Sequence, residues 1–340
     1  MMAEILLHRV GPGVTLQDQG RAGYLAQGLS RGGAADRLAL VEGAALLGQD
    51  AGFAALEIAA SYLALEVSGS CRIALTGAPM RAFCEGGVLA WQASHALAPG
   101  ARLELSGALG GYSYVHFGGG VDAPVILGAR SAHLAAGIGR MLRAGDRLRL
   151  GADHGGRVDH GFTPQARFSG GLLRMVETPQ TQLFPAQQLA RFTETVFCKD
   201  MRGNRMGQRL LSEGAGFALT SGLSILSESI VPGDIQITGD GAPFVLLAEC
   251  QTTGGYPRIG TVLPCDLPRL VQAPAGAELR FAFIPLQEAI AAERAEAARR
   301  AGLRGGVRPL IRTLHDMREL LAYQWISGAT AGDELDREQP

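Results

Sequence analysis

The chain has 340 residues, 47% hydrophobic and 19% charged, with a formal net charge of −1. It is long enough for about two domains, each with its own core, and too apolar to be disordered. The near-neutral charge and the 6% aromatic content exclude the basic stripe and stacking platforms of a nucleic-acid binder.

In chain order, the first residues carry Glu4, His8 and Arg9, and no signal-peptide apolar region is expected there. Ala34 to Leu47 predicts a helix: Leu38, Val41, Ala45 and Leu47 form an apolar stripe and Gly48 ends it. Short strands then follow one another between Gly, Pro and Asp turns. Gly151 to Gly171, with Asp153, His154, Asp159 and His160, reads as a polar surface connector. Pro185 to Glu194, Gln287 to Arg300 and Thr313 to Ile326 predict three further helices.

The strands carry a repeat. Pro99-Gly100, Ala144-Gly145, Pro232-Gly233 and Ala275-Gly276 each open a turn into alternating apolar residues, and the two pairs lie about 132 residues apart. Gly118-Gly119-Gly120 and Thr253-Gly254-Gly255 follow core strands at a similar offset. Matching order and spacing predict a duplication, two β-barrels whose closure removes exposed edges. The expected organisation is a first barrel over 1–165, a second over 172–285 and a helical tail over 286–340. The fold class is therefore mainly β, with few short helices.

Five scattered cysteines without a C-x-x-C pair fit free thiols in a reducing cytoplasm. No uncharged apolar run reaches the ~18 residues of a membrane span, and the histidines show no metal-ligand spacing, so neither membrane nor metal is expected. Lys199 is the only lysine among 31 basic residues. A P-loop needs Gly-Lys-Ser/Thr and a biotin carrier needs Met-Lys-Met, so this chain has neither. ATP or carried biotin would come through another chain.

Four stretches could carry chemistry. Gln251-Thr252-Thr253-Gly254-Gly255-Tyr256 follows an apolar strand. Hydroxyls, an amide and Gly-Gly backbone N–H groups converge there, as a developing oxyanion or a carboxylate requires; a tight turn is the plainer alternative. Gln17 and Arg21 sit in the Gly11–Arg21 motif, which leads to Asp36 at the start of the first helix. Asp36 is either a helix cap or a base, and Arg21 an anion clamp on the same cleft. Arg130-Ser131 could hold a phosphate or carboxylate. Arg205 and Gln236 complete the set, Gln236 as a barrel residue orienting an amide.

These motifs resemble the C subunit of bacterial ATP-dependent 5-oxoprolinase, the KipA or allophanate hydrolase subunit 2 group, and the carboxyltransferase domain of urea carboxylase. The resemblance is carried in order by Gly11–Arg21, Gly33-Ala34-Ala35-Asp36, Leu56-Glu57, Leu75-Thr76-Gly77-Ala78, Leu127–Ser131, Arg205-Met206-Gly207 and Gln251–Pro257. It departs from the family pattern at Gln49, Ala129, Ala132, His133, Glu249 and Cys250. It implies two cyclophilin-like barrels and two partner chains, the B subunit (KipI-like) and the A subunit (LamB/YcsF-like). It also implies ATP-dependent opening of 5-oxo-L-proline to L-glutamate. Alternatives are the carboxyltransferase component of a biotin-dependent urea or amide carboxylase, and a non-catalytic Kip-type regulator. The small amide or lactam would meet Asp36, Gln251, Thr252, Thr253 and Tyr256 as catalytic groups. Arg21, Gln17, Arg130, Ser131, Arg205, Gln236, Gly254 and Gly255 would bind it.

Overall fold

The computed structural model describes residues 3–107, 110–219 and 225–311. The chain is mainly β, in two β units. The first has two seven-stranded antiparallel sheets. One runs in the order Val121–Asp122, Arg147–Leu150, Glu4–Val10, Leu63–Val67, Arg102–Ser106, Arg81–Cys84, Gly87–Leu89. The other runs Val14–Gln17, Ala55–Ala59, Tyr112–Phe117, Cys71–Gly77, Ala93–Leu97, His160–Gly161, Arg308–Pro309.

The first sheet alternates, as in Leu63, Leu65 and Val67 buried with Ala64 and Glu66 between them. Its apolar face meets Ile58, Ile73, Val115 and Phe117 of the second sheet in one core. Every residue of Cys71–Gly77 is buried, because helix α1 (Arg37–Leu47) packs on the far face of that sheet. A strand covered on both sides loses the period-2 signal. Two expected helices start one to three residues from their predicted positions: α1, capped by Asp36 and ended by Gly48 at φ 67°, and α2 (Ala186–Glu194). The short α3 (Leu267–Gln272), with a proline in its first turn, has no counterpart among the predicted helices. The expected helix at Gln287–Arg300 is α4 (Leu286–Ala301). The one expected at Thr313–Ile326 lies outside the described residues.

The second unit is a closed barrel: Gly171–Val176, Arg258–Val262, Asp234–Ile237, Pro243–Leu246, Gly207–Leu211, Phe197–Lys199, Glu278–Phe283. The last strand returns to the first by a parallel pairing, Gly171 to Leu279 through Met175 to Phe283. Phe192 of α2 lies 4.9, 5.1 and 5.3 Å, centroid to centroid, from Phe197, Phe217 and Phe281. Among the described residues no helix is long and apolar enough to cross a membrane.

The repeated turns form as read: Gly100, Gly145, Gly233 and Gly276 have φ of 79°, 89°, 102° and 79°, where a side chain would be strained. The strand pairing does not repeat with them. Asp234–Ile237 and Pro243–Leu246 are hairpin partners. Their counterparts at the 132-residue offset, Arg102–Ser106 and Tyr112–Phe117, lie in different sheets. Local turn chemistry sets where a strand starts, not which strand it finds.

Beneath α1, His116 is buried and donates from Nε2 to Thr76 Oγ1 at 2.8 Å, since that hydroxyl donates onward to Ala39 O at 3.0 Å. Burial pushes His116 down to about 3. The folded chain therefore refuses a proton that the unfolded chain accepts near pH 6.5. Stability is complete above that pH and falls as the pH drops toward 3, by about 1.4 kcal/mol per pH unit from this group. Urea unfolding between pH 7 and 4 is expected to show His116→Phe losing stability about one proton less steeply than the native chain. Equal slopes would assign the acid sensitivity elsewhere.

Candidate active site

The two β units meet along a polar seam. Arg205, before the barrel strand Gly207–Leu211, donates to Glu249 Oε1 at 2.5 Å, to Glu57 Oε1 and to Gly33 O. Glu57, on the strand Ala55–Ala59, also accepts from Ala35 N at 2.8 Å and Tyr114 Oη at 2.7 Å. Glu57 is fully buried and Glu249 is 3% exposed. Burial works against the Arg205 charge, but Glu57 and Glu249 hold its pKa raised. Burial likewise pushes the Tyr114 phenol well up, so it stays a donor.

Asp36 is fully buried. Its Oδ1 caps α1 through Leu38 N and Ala39 N at 3.0 and 3.2 Å. Its Oδ2 accepts from Arg167 Nε at 2.8 Å and Gln272 Nε2 at 2.7 Å. The same Arg167 forks onto Glu42 at 2.8 and 2.7 Å. With every lone-pair direction engaged, Asp36 is a cap and seam tie, not a base facing a cleft. The connector that reads as a surface segment delivers Arg167 into this core, 2% exposed.

Arg21 corrects the reading in the same way. It is 2% exposed and donates to Ile126 O at 3.0 Å, Ser131 Oγ at 3.2 Å and Ser131 O at 2.5 Å. Gln17 Nε2 reaches Thr15 Oγ1 and Ala132 O at 3.0 and 3.3 Å, and Arg130 N donates to Asp18 Oδ2 at 2.6 Å. The side chains of Gln17, Arg21 and Ser131 and the Arg130 backbone are thus brought together and fasten the 126–132 loop to the N-terminal motif, whereas the Arg130 guanidinium is half-buried and lies 3.7 Å from Asp122 Oδ1. The guanidinium of Arg21 is not turned to an external anion.

The Gly-Gly loop lies at the same seam. Thr253 and Gly254 pair with Ser229 and Glu228 in a two-stranded ribbon. Gln251, Thr253 and Tyr256 are exposed, and Thr252, Gly254 and Gly255 are half-buried. Gln236 faces outward from the barrel beneath this ribbon. It is 6% exposed, and its Nε2 is buried with no partner among the described residues. A Cβ placed on Gly254 would come within 2.5 Å of that nitrogen, so only glycine lets the amide approach. The N-terminal motif reaches the loop through its backbone: Gly32 N donates to Ala248 O at 2.9 Å. Thr252 Oγ1 lies 4.0 Å from the position of a Gly28 Cβ. The two stretches do meet, through Gly28 and Gly32 in place of Arg21 and Asp36.

Sequence reasoning missed Ser30, His133 and Glu249 as one cluster. Ser30 Oγ is 2.9 Å from His133 Nε2, and Glu249 Oε2 is 3.9 Å from His133 Nδ1. His133 Nδ1 accepts from Ala136 N at 3.2 Å, which places the ring proton on Nε2, donating to Ser30. That is opposite to a base activating a serine, and burial lowers the His133 pKa. A buried histidine two residues after Ser131 has no periodic signal; only the 126–138 turn places it here.

The chain is similar to known proteins in sequence and in fold. The family described as carboxyltransferase domain, subdomains A and B, matches residues 27–283. The chain is 34% identical to the 5-oxoprolinase C subunit of Escherichia coli (strain K12), over 84% of this chain and 92% of that one. The crystal structure of TTHA0988 superposes with a TM-score of 0.76 at 29% identity, covering 83% of this chain and 56% of that one. The Kluyveromyces lactis urea carboxylase structure shares the fold at a TM-score of 0.76 and 21% identity, over 93% of this chain and 30% of that one. The chain therefore spans about half of the first structure's length and under a third of the second's.

Proposed function

The chain belongs to the carboxyltransferase family of subdomains A and B, and from that we propose that it is the C-type subunit of an ATP-dependent 5-oxoprolinase. It would open 5-oxo-L-proline to L-glutamate in the cytoplasm, together with the B subunit (KipI-like) and the A subunit (LamB/YcsF-like). The observation that carries this reading is the 34% identity running over nearly the full length of a 5-oxoprolinase C subunit. The Gly-Gly ribbon supports it chemically. Gln251, Thr252, Thr253 and Tyr256 offer amide and hydroxyl groups around a lactam, and the Gly254-Gly255 backbone and the Gln236 amide offer donors to its oxygen.

ATP is consumed in the complex, and we assign its phosphates to a partner. Lys199, the single lysine, donates to Val271 O at 2.9 Å and Ala273 O at 2.6 Å and is not directed at a phosphate. The same engagement speaks against biotin on this chain. A carboxyltransferase role with biotin carried elsewhere is the second reading, favoured by the fold shared with urea carboxylase.

Purified together, the three subunits are expected to release glutamate from 5-oxoproline only with ATP, and to stop when this chain is omitted. Ring opening by this chain alone, or an unchanged rate without it, would overturn the proposal. Bicarbonate-dependent turnover of urea would move it to the second reading.

A further inference from the structure

A cavity opens at the seam, lined in part by Ala248, whose carbonyl accepts from Gly32 N. Ala34, Pro232, Leu267 and Val271 give it apolar walls, and its charged lining residues are Arg37 and Arg300. No carboxylate lines it among the described residues. Arg37 donates from Nη2 to Gly32 O at 3.1 Å, and Arg300 gives Nε to Glu296 at 2.6 Å. The nearby acids are already engaged: Asp36 with Arg167, Glu57 and Glu249 with Arg205, Glu296 with Arg299 and Arg300.

Arg37 thus has no acid within ion-pair distance among the described residues. Burial, followed by Arg31, Arg300 and Arg205, pushes its pKa down to about 10. Two arginines facing one cavity repel each other, and desolvation raises the cost. Arg300 is compensated by Glu296 but Arg37 is not, so a ligand carrying negative oxygens offsets the Arg37 desolvation and the Arg37–Arg300 repulsion, and a guanidinium fork matches carboxylate or phosphate geometry.

We infer that this seam cavity binds a small oxyanion, a phosphate or a carboxylate, between the guanidinium groups of Arg37 and Arg300. The inference concerns this chain alone and does not depend on the oxoprolinase reading.

The test is calorimetric titration of the full chain with inorganic phosphate and, separately, with acetate. Saturable binding of either is expected, weakening as sodium chloride is added. Phosphate alone binding would identify a phosphoryl site; acetate binding would identify a carboxylate site. Arg37→Met is expected to weaken binding by about 10- to 100-fold, the loss of a charge-assisted hydrogen bond or two. Arg300→Gln should weaken it too, and provides the readout if Arg37→Met does not fold. Arg209→Gln, at an exposed pair with Asp240 on the barrel, should bind as the native chain does. Absence of saturable binding for both anions, or native affinity in a folded Arg37→Met chain and in Arg300→Gln, would overturn the inference.

Discussion

Replacing Arg205 by methionine is expected to cost about 3–5 kcal/mol of folding stability. The substitution leaves Glu57 and Glu249 buried without their shared cation, and removes a donor from Gly33 O. Breaking one side of a buried pair costs more than the pair contributes, because the remaining charge has no water to turn to. Two stranded carboxylates double that problem. Arg205→Lys keeps the charge but not the three-way fork, so an intermediate loss is expected. Arg209→Gln loses a half-exposed pair with Asp240 and a 3.7 Å approach to Asp200, which Arg202 still holds, and should cost no more than about 1 kcal/mol. Urea unfolding at neutral pH measures all three. An Arg205→Met chain within about 1 kcal/mol of native stability would mean that the seam relaxes enough to admit water, and that the charge network does not hold the two units together.

Gln236→Leu is expected to separate stability from activity. The Gln236 Nε2 is a buried donor without a partner among the described residues, a state that costs about 1–3 kcal/mol. Leucine of similar size removes that cost, so the variant should unfold at native or higher urea concentration. If the amide donates to the substrate oxygen when ligand enters beneath Gly254, turnover of the reconstituted complex should fall about 10²–10³-fold, the usual loss for one oxyanion donor. Rising stability with falling turnover is the pattern of a site held strained for function. Native turnover in Gln236→Leu would remove Gln236 from the site and leave it as an imperfect core residue. Thr253→Val at the exposed edge of the ribbon tests the hydroxyl separately and should leave stability within about 0.5 kcal/mol.

Much of the fold is legible in the sequence because its signals are local. Asp36 before an apolar stripe and Gly48 after it mark α1, and both caps form as their chemistry requires. The four glycine turns are equally local, since a positive φ is a property of one residue. The motifs along the chain suffice to place it near the carboxyltransferase family. Strand partners are not legible. The same turn leads into a hairpin at Gly233 and into separate sheets at Gly100, because pairing depends on long-range packing that a seven-residue motif does not encode.

The site divides along the same line. By itself the sequence determined that a Gly-Gly loop rich in amide and hydroxyl groups follows a barrel strand, and that the chain's single lysine rules out a P-loop. Only the tertiary structure decided which polar residues are open to a ligand and which are consumed by the protein. Arg21 and Asp36 read as clamp and base because arginine and aspartate can do both jobs. Residues 110 and 131 positions away, Ser131 and Arg167, engage them instead. Gln236 reads as a residue that could orient an amide and Arg37 carries no signal of its own; among the described residues the Gln236 Nε2 has no acceptor and Arg37 no ion-pair acid. The physical reason is that a polar side chain's role is set by what else occupies its hydrogen-bonding directions once water is excluded. Those neighbours come from distant parts of the chain.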